Sequence, residues 1–326
     1  MTTRREFLKF SAACAAAPAI VGIRPAVAQA YPSRPVRWIV GFAAGGPVDI
    51  VARFMGQHLS DKLGQPFVIE TRPGAGGNLA TQAVVGAAPD GYTLMSIGHF
   101  NTINTALHDK LPFDFIRDIV PIAGISQAPN VLLVTPLLPV KSVAELIAHM
   151  KANPGKLSFG SSGNGTSSHL SGELFKAMTG TSMQHVPYRG TGPVMIDLMS
   201  GQVQVYFTST VGLLPHLQKG KVRALAVTGA KRFEPLSDLP AIAETLPGFE
   251  VLTWVGVGAP KATPAEVVER ISREVNAGLA DIKIKTRLIE LGGTPDPATP
   301  AQLTARIAAE TEQWGKVVKA SGAKLQ

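Results

Sequence analysis

The stretch "VRWIVGFAAGGPVDIVARFM", Val36 to Met55, decides the fold class. Its first seven residues form a short apolar run of strand type. Gly45, Gly46 and Pro47 interrupt it, and apolar residues then recur at helical spacing through Val51, Phe54, Met55 and Leu59 until Gly64. The spacing predicts strand, glycine loop, helix. The same grammar returns twice. "FVIE" runs through "TRPGAGGN" (Arg72–Asn78 for its last seven residues) into the helical "LATQAVVGAA", and "KLSFG" runs through "GSSGNGTSS" (Gly160–Ser168) into a further helix.

Strand and helix alternate along the rest of the chain. "YTLMSIG" follows the turn "PDG", and "NVLLVTP" precedes "SVAELIAHMKANPG", where Ser142 and Glu145 have capping-box spacing. "MQHVPY", "VQVYFTS" and "VRALAV" are further strands. "FEVLTWVGVGAP" reads as the last long strand, and two helices, about 264–280 and 299–318, close the chain. Such alternation calls for α/β architecture with parallel sheets covered by helices on both faces; an eight-fold barrel is the competing arrangement.

The chain has 326 residues, 45% hydrophobic and 17% charged, which suits about two globular domains. Its first thirty residues read as a leader. Arg4 and Arg5 precede the apolar "FSAACAAAPAIVGI", and Ala28-Gln29-Ala30 has A-x-A cleavage spacing. The arginine pair before Glu6-Phe7-Leu8-Lys9 resembles a twin-arginine export signal. No later stretch offers eighteen uninterrupted apolar residues, so an exported, soluble mature protein starting at Tyr31 is expected.

The single cysteine, Cys14, lies in that leader, which excludes disulfides and thiolate chemistry from the mature chain. Without the leader the chain keeps 27 basic and 22 acidic residues, a surplus of five positive charges. This mildly favours anionic ligands. The charges form no Lys/Arg run, so no nucleic-acid partner is expected. The seven histidines show no metal-ligand spacing, so neither a metal nor another cofactor is expected.

Glycine loops that open helices let an anion approach free backbone N–H groups at the positive end of the helix dipole. Gly160 to Ser167 matches the P-loop pattern except at its lysine, where Thr166 stands, which disfavours a nucleoside triphosphate. It has no Gly-x-Ser-x-Gly elbow either, because Ser162 is followed directly by Gly163. A neutral cradle for a carboxylate remains, against an ordinary helix cap. Asp49 reads most simply as an acid in the first turn of its helix, with ligand contact as the alternative. Arg72 and Arg189 could each form a bidentate pair with a carboxylate, although a solvated surface position is the commoner fate of an arginine. Trp38, Trp254 and Trp314 read as core, although Trp254 lies late in a strand that reaches toward a cleft. A serine hydrolase using His169 or His185 as base is a further alternative that lacks its motif.

The segments "FAAGGPVDIVAR", "ETRPGAGGN", "PDGYTL", "SFGSSGNGTSSHLSGELF", "HVPYRGTGP", "DLMSGQVQVYF" and "LPHLQKGKVRALAV" together resemble the substrate-binding proteins of tripartite tricarboxylate transporters, the Bug-type proteins, over nearly all of residues 31–326. The resemblance implies a two-lobed periplasmic-binding fold of type II, a Venus flytrap with a parallel-rich sheet in each lobe. Lobe 1 would comprise 31–130 plus 254–326, and lobe 2 would comprise 131–253. It implies a periplasmic, non-catalytic monomer that captures a small carboxylate for one small and one large multi-span membrane subunit; a sensor that presents its ligand to a receptor kinase is the alternative partner arrangement. The implied contacts are Phe42, Ala44, Gly45, Gly46 and Asp49 of the first loop, and Ser96, His99 and Asn101 after the third strand. Ser161, Ser162, Asn164, Thr166 and Ser167 of the serine loop join them, with the Tyr188-Arg189-Gly190 turn. Where the family usually has proline before its Gly-Gly, this chain has Ala43-Ala44.

Overall fold

The computed structural model describes residues 31–108, 110–217 and 220–321. The leader expected over 1–30 lies outside the described residues. Strand β1 (Val36–Val40) is the centre of a parallel trio, flanked by β2 (Phe67–Thr71) and β3 (Thr93–Gly98). Helix α1 (Pro47–Leu63) begins with proline in its first turn and stops at Gly64, whose φ of 72° suits glycine and lets its N–H reach the Ser60 carbonyl. Of the residues whose spacing predicts the helix, Val51, Met55 and Leu59 are buried, with Val48 and Ala52 beside them, while Phe54 is half-buried.

A second parallel trio follows. It contains β5 (Ser158–Ser161), β6 (Gln184–Pro187) and β7 (Val205–Ser209), with β5 between the other two. Between them run α6 (Ser167–Thr179) and α7 (Thr191–Ser200), preceded in the chain by α2 (Asn78–Val85), α3 (His99–Leu107), α4 (Phe115–Asp118) and α5 (Val143–Ala152). Ser142 caps α5 by accepting the Glu145 N–H, while the Glu145 carboxylate accepts the N–H of Lys141, one residue before the cap.

The trios are joined by antiparallel pairing that the periodicity did not show. β4 (Ile119–Val134) is 16 residues long. Its first part pairs with β9 (Leu252–Pro260) up to Pro129, and from Asn130 it pairs with β7 and with β8 (Arg223–Val227). The expected strand "NVLLVTP" is only the end of β4. Pro121 and Gly124 stand at two register shifts against β9, where an irregular ladder accommodates them. β3 and β9 are antiparallel, so the first sheet is mixed and open, not a barrel.

"FEVLTWVGVGAP" is not the last strand. After the short α8 (Leu214–Leu217), α9 (Ala265–Ala280) and α10 (Ile282–Glu290), the proline-containing β10 (Thr294–Ala298) pairs with β4 along one edge, a place where strand prolines are tolerated. Helix α10 is capped by Asp281, whose side chain accepts the Lys283 and Ile284 N–H groups. The final helix, α11 (Pro300–Ser321), joins two apolar clusters. Leu303 and Ile307 pack with Ile97 and Trp254, whereas Trp314 packs with Leu170, Phe175 and Phe207. Both sheets carry core on each face, giving layered α/β packing around each. No helix among the described residues is long and apolar enough to cross a membrane.

Candidate functional site

Three helix N-termini converge on one cavity. The N-cap residues of α1, α6 and α7 are Gly46, Thr166 and Gly190, and all three line a space of about 60 Å³. Each helix follows a strand of a parallel trio, so the carboxyl ends of β1, β5 and β6 set the three caps around a common point. The first-turn N–H groups of a helix have no partner within it and carry partial positive charge.

The walls contain no Asp, Glu, Lys or Arg. Phe42, Val48, Val51, Phe100, Ala128, Phe207, Val211 and Val255 supply apolar surface; Ser126, Ser162, Ser167, Ser168, Thr191, Thr208, Ser209 and Thr253 supply hydroxyls. His99 is the one titratable side chain in the lining. Burial pushes its pKa down to about 4 against the opposing contact of Nδ1 with the Trp254 carbonyl oxygen at 3.1 Å, so the ring is neutral at pH 7. The cavity is therefore uncharged and surrounded by positive dipole ends, an environment matched to an anion of modest size. Among the described residues no His/Cys/Asp/Glu cluster has metal-site geometry.

The serine loop is held by its own hydroxyls. Thr166 Oγ1 donates to the Gly163 carbonyl at 2.7 Å and accepts the His169 N–H, and Ser168 Oγ accepts the Ser162 N–H at 2.9 Å. Ser162 Oγ lies 2.7 Å from the Tyr206 hydroxyl. Ser161 Oγ accepts the Gly163 N–H and lies 2.6 Å from His185 Nε2. That distance suits a nucleophile and its base, but Ser161 is fully buried and lies outside the cavity lining, so its hydroxyl braces the loop.

Of the residues the sequence singles out, Phe42, Gly46, His99, Ser162, Thr166, Ser167 and Gly190 line this cavity. Asn164, Tyr188 and Arg189 line a separate pocket beside it, which shares Phe42 and Ser162 with the first. Ala44, Gly45, Asp49, Ser96, Asn101 and Ser161 line neither. Asp49 is buried, and its Oδ2 accepts the Gly45 N–H at 2.8 Å and Arg53 Nε at 2.9 Å; it shapes the loop as a first-turn acid. Ser96 accepts the Trp38 indole N–H, and Asn101 Oδ1 accepts the Gly98 N–H. Arg72 is turned away and pairs with Glu70 on the surface. Trp254 does not enter the cavity: on β9, Thr253 and Val255 face it, while the Trp254 indole donates to Glu310 at 2.8 Å.

Several lining residues were not foreseen. Ser126 and Ala128 lie in the half of β4 hidden by its prolines, and Thr253 and Val255 could have been found from the period-2 alternation around Trp254. Beside the cavity, glycines allow two close approaches. A Cβ on Gly76 would overlap the Asn164 carbonyl oxygen, and one on Gly165 would overlap Asn104 Oδ1. The 74–77 and 163–165 loops thus meet backbone to backbone.

Comparison with known proteins agrees with this geometry. The model of the tripartite tricarboxylate transporter family receptor matches residues 51–323. Protein BugT of Bordetella pertussis is 36% identical over 305 residues, covering 93% of this chain and 94% of its own. The structure of Rpa4515 of R. palustris with adipate is 39% identical with a TM-score of 0.88, covering 90% of this chain and 100% of that one. MatC of Rhodopseudomonas palustris with bound malate is 33% identical with a TM-score of 0.84, covering 88% and 100%. These structures share the two-lobed type II periplasmic-binding architecture with this one. The chain belongs to the tripartite tricarboxylate transporter receptor family.

Proposed function

We propose that this protein is a periplasmic binding protein that closes around one small organic carboxylate and delivers it to a transporter made of one small and one large multi-span membrane subunit. The observation that carries the reading is the convergence of three helix N-caps, Gly46, Thr166 and Gly190, on a cavity without charged side chains. A carboxylate accepts about four hydrogen bonds, and backbone N–H groups with neutral hydroxyls supply them without a cation. An ammonium group would find no carboxylate in the lining to pair with, which disfavours amino acids. The relatives that hold adipate and malate support the same ligand class.

The first-turn N–H groups of α1, α6 and α7 and the Ser167 hydroxyl are the proposed ligand contacts, with Arg189 in the adjoining pocket attracting the anion on entry. The lobes would divide where β4 changes partners, near 130, and again near the start of β9, giving 31–130 plus 254–326 against 131–253. The protein would act as a non-catalytic monomer: the Ser161–His185 contact is sealed from the cavity, and no lining serine has a base in reach among the bonds formed. The leader with its Arg4-Arg5 pair supports export. A melting screen of mono-, di- and tricarboxylates, aromatic acids and amino acids tests the reading. A ligand at a hundred times its Kd should stabilise by about 2.7 kcal/mol. Stabilisation by amino acids alone would contradict it.

A further inference from the structure

Behind the serine loop lies a stack of three rings, neither of whose histidines reaches the cavity. His169 and His185 are both buried and parallel, with centroids 4.1 Å apart and planes 11° from each other, and Phe159 stacks on the far side of His185 at 4.8 Å. Neither histidine lines the cavity. Each bonds the loop that does. His169 Nδ1 accepts the Gly165 N–H at 3.3 Å, which fixes its hydrogen on Nε2. His185 Nε2 meets Ser161 Oγ, and that hydroxyl in turn accepts the Gly163 N–H.

Resting on the carboxylate reading, we infer that His169 and His185 are positioning residues: as neutral partners of the Gly165 N–H and the Ser161 hydroxyl, they hold residues 161–168 in the shape that aims the loop's remaining donors at the ligand. With the N–H groups of Gly163 and Gly165 turned inward to Ser161 and His169, those of Ser167 and Ser168 at the start of α6 are left for an anion. A proton on His169 Nδ1 would face the Gly165 N–H donor to donor, and two imidazolium rings in this stack would repel. The charged groups facing the stack come from α6. Lys176 lies 5.6 Å from the Phe159 ring centroid and is paired with Glu173 at 2.9 Å. On α11, Glu310 is turned to the Trp254 indole and the Thr102 hydroxyl instead. Burial foremost, then Lys176, pushes the His169 pKa down to about 4; burial, the neighbouring ring and Lys176 push that of His185 to about 3.

The test pairs two substitutions at each position, read by calorimetry at pH 7 with adipate and malate as probes. His169→Phe keeps a stacking ring but removes the acceptor, and His169→Asn keeps an acceptor where Nδ1 stood. His185→Phe and His185→Gln form the matching pair. Each Phe variant should bind the probes at least about ten-fold more weakly, as loss of one well-placed hydrogen bond implies, with the Asn and Gln variants within about three-fold of wild type. Phe variants that bind as tightly as wild type would overturn the inference and leave the carboxylate reading standing. So would affinities that merely follow each variant's melting temperature. Wild type that binds no carboxylate would overturn both. A readout on wild type avoids any folding defect: the ring protons of His169 and His185, like those of the buried His99, should show little titration between pH 7 and 5, and titration of the His169 or His185 ring near 6.5 would contradict the inference.

Discussion

The main chains of Gly76 and Asn164 meet so closely that a methyl group on Gly76 would overlap the Asn164 carbonyl oxygen. Gly76 also has a φ of 61°, a left-handed conformation that costs an L-residue about 1–2 kcal/mol. Gly76→Ala is expected to lower the melting temperature modestly through that strain. Its larger effect should fall on closure. Solution scattering should show wild type compacting on ligand addition and Gly76→Ala compacting less, with weaker affinity by calorimetry.

Asp49→Ala separates framework from contact. The buried carboxylate holds the Gly45 N–H and Arg53, and it does not line the cavity. Removing it should cost about 1 kcal/mol of stability, the size of a lost helix-start interaction, while affinity changes less than ten-fold. A large loss of affinity with an unchanged melting temperature would place Asp49 at the ligand.

Thr166 and Ser167 are adjacent but have different work. Thr166 Oγ1 is committed within the loop, whereas Ser167 lines the cavity at the first position of α6. Ser167→Ala should weaken a carboxylate about ten-fold, at about 1.4 kcal/mol per decade, with little change in ligand-free stability. Thr166→Val should lower both stability and affinity.

Three buried histidines make stability acid-sensitive. His99 and His169 have pKa values pushed down to about 4, and His185 to about 3, by burial first. Their unfolded values lie near 6.5, so below that pH the unfolded chain binds more protons than the folded one. Their contribution is complete above 6.5 and is lost as pH falls toward 4. Denaturant melts should lose up to about 1.4 kcal/mol per pH unit for each histidine across that window. Stability that holds constant from pH 6.5 to 4.5 would contradict their burial as neutral rings.

The parallel trios were legible because each strand and helix carries its own period: Val36–Val40 is a compact apolar run, and Val51, Met55 and Leu59 repeat at helical spacing. The glycine loops were legible because positive φ at Gly45, Gly163, Gly165 and Gly190 leaves a trace in composition. β4 was only half legible. Pro121, Gly124 and Pro129 interrupt its pattern, and its regularity comes from pairing with β9, a segment more than a hundred residues away. Helix α3 was hidden for a related reason: His99, Asn101, Thr102 and Asn104 are buried through tertiary contacts, so it has no polar face to reveal a period. The cavity's apolar wall followed the same rule. Ala128 and Val255 became neighbours only through the long-range ladder that the sequence did not announce.

On the proposed reading, helix N-termini and neutral hydroxyls, without any cationic side chain in the lining, bind an anion. The most direct measurement is calorimetric titration of wild type at pH 7 with its best dicarboxylate and with the matching diamide, which keeps the shape and removes the charge. One-to-one binding of the dicarboxylate, with the diamide at least about a hundred-fold weaker, is predicted from the larger contribution of charge-assisted hydrogen bonds. A diamide that binds as tightly as the dicarboxylate would contradict the account.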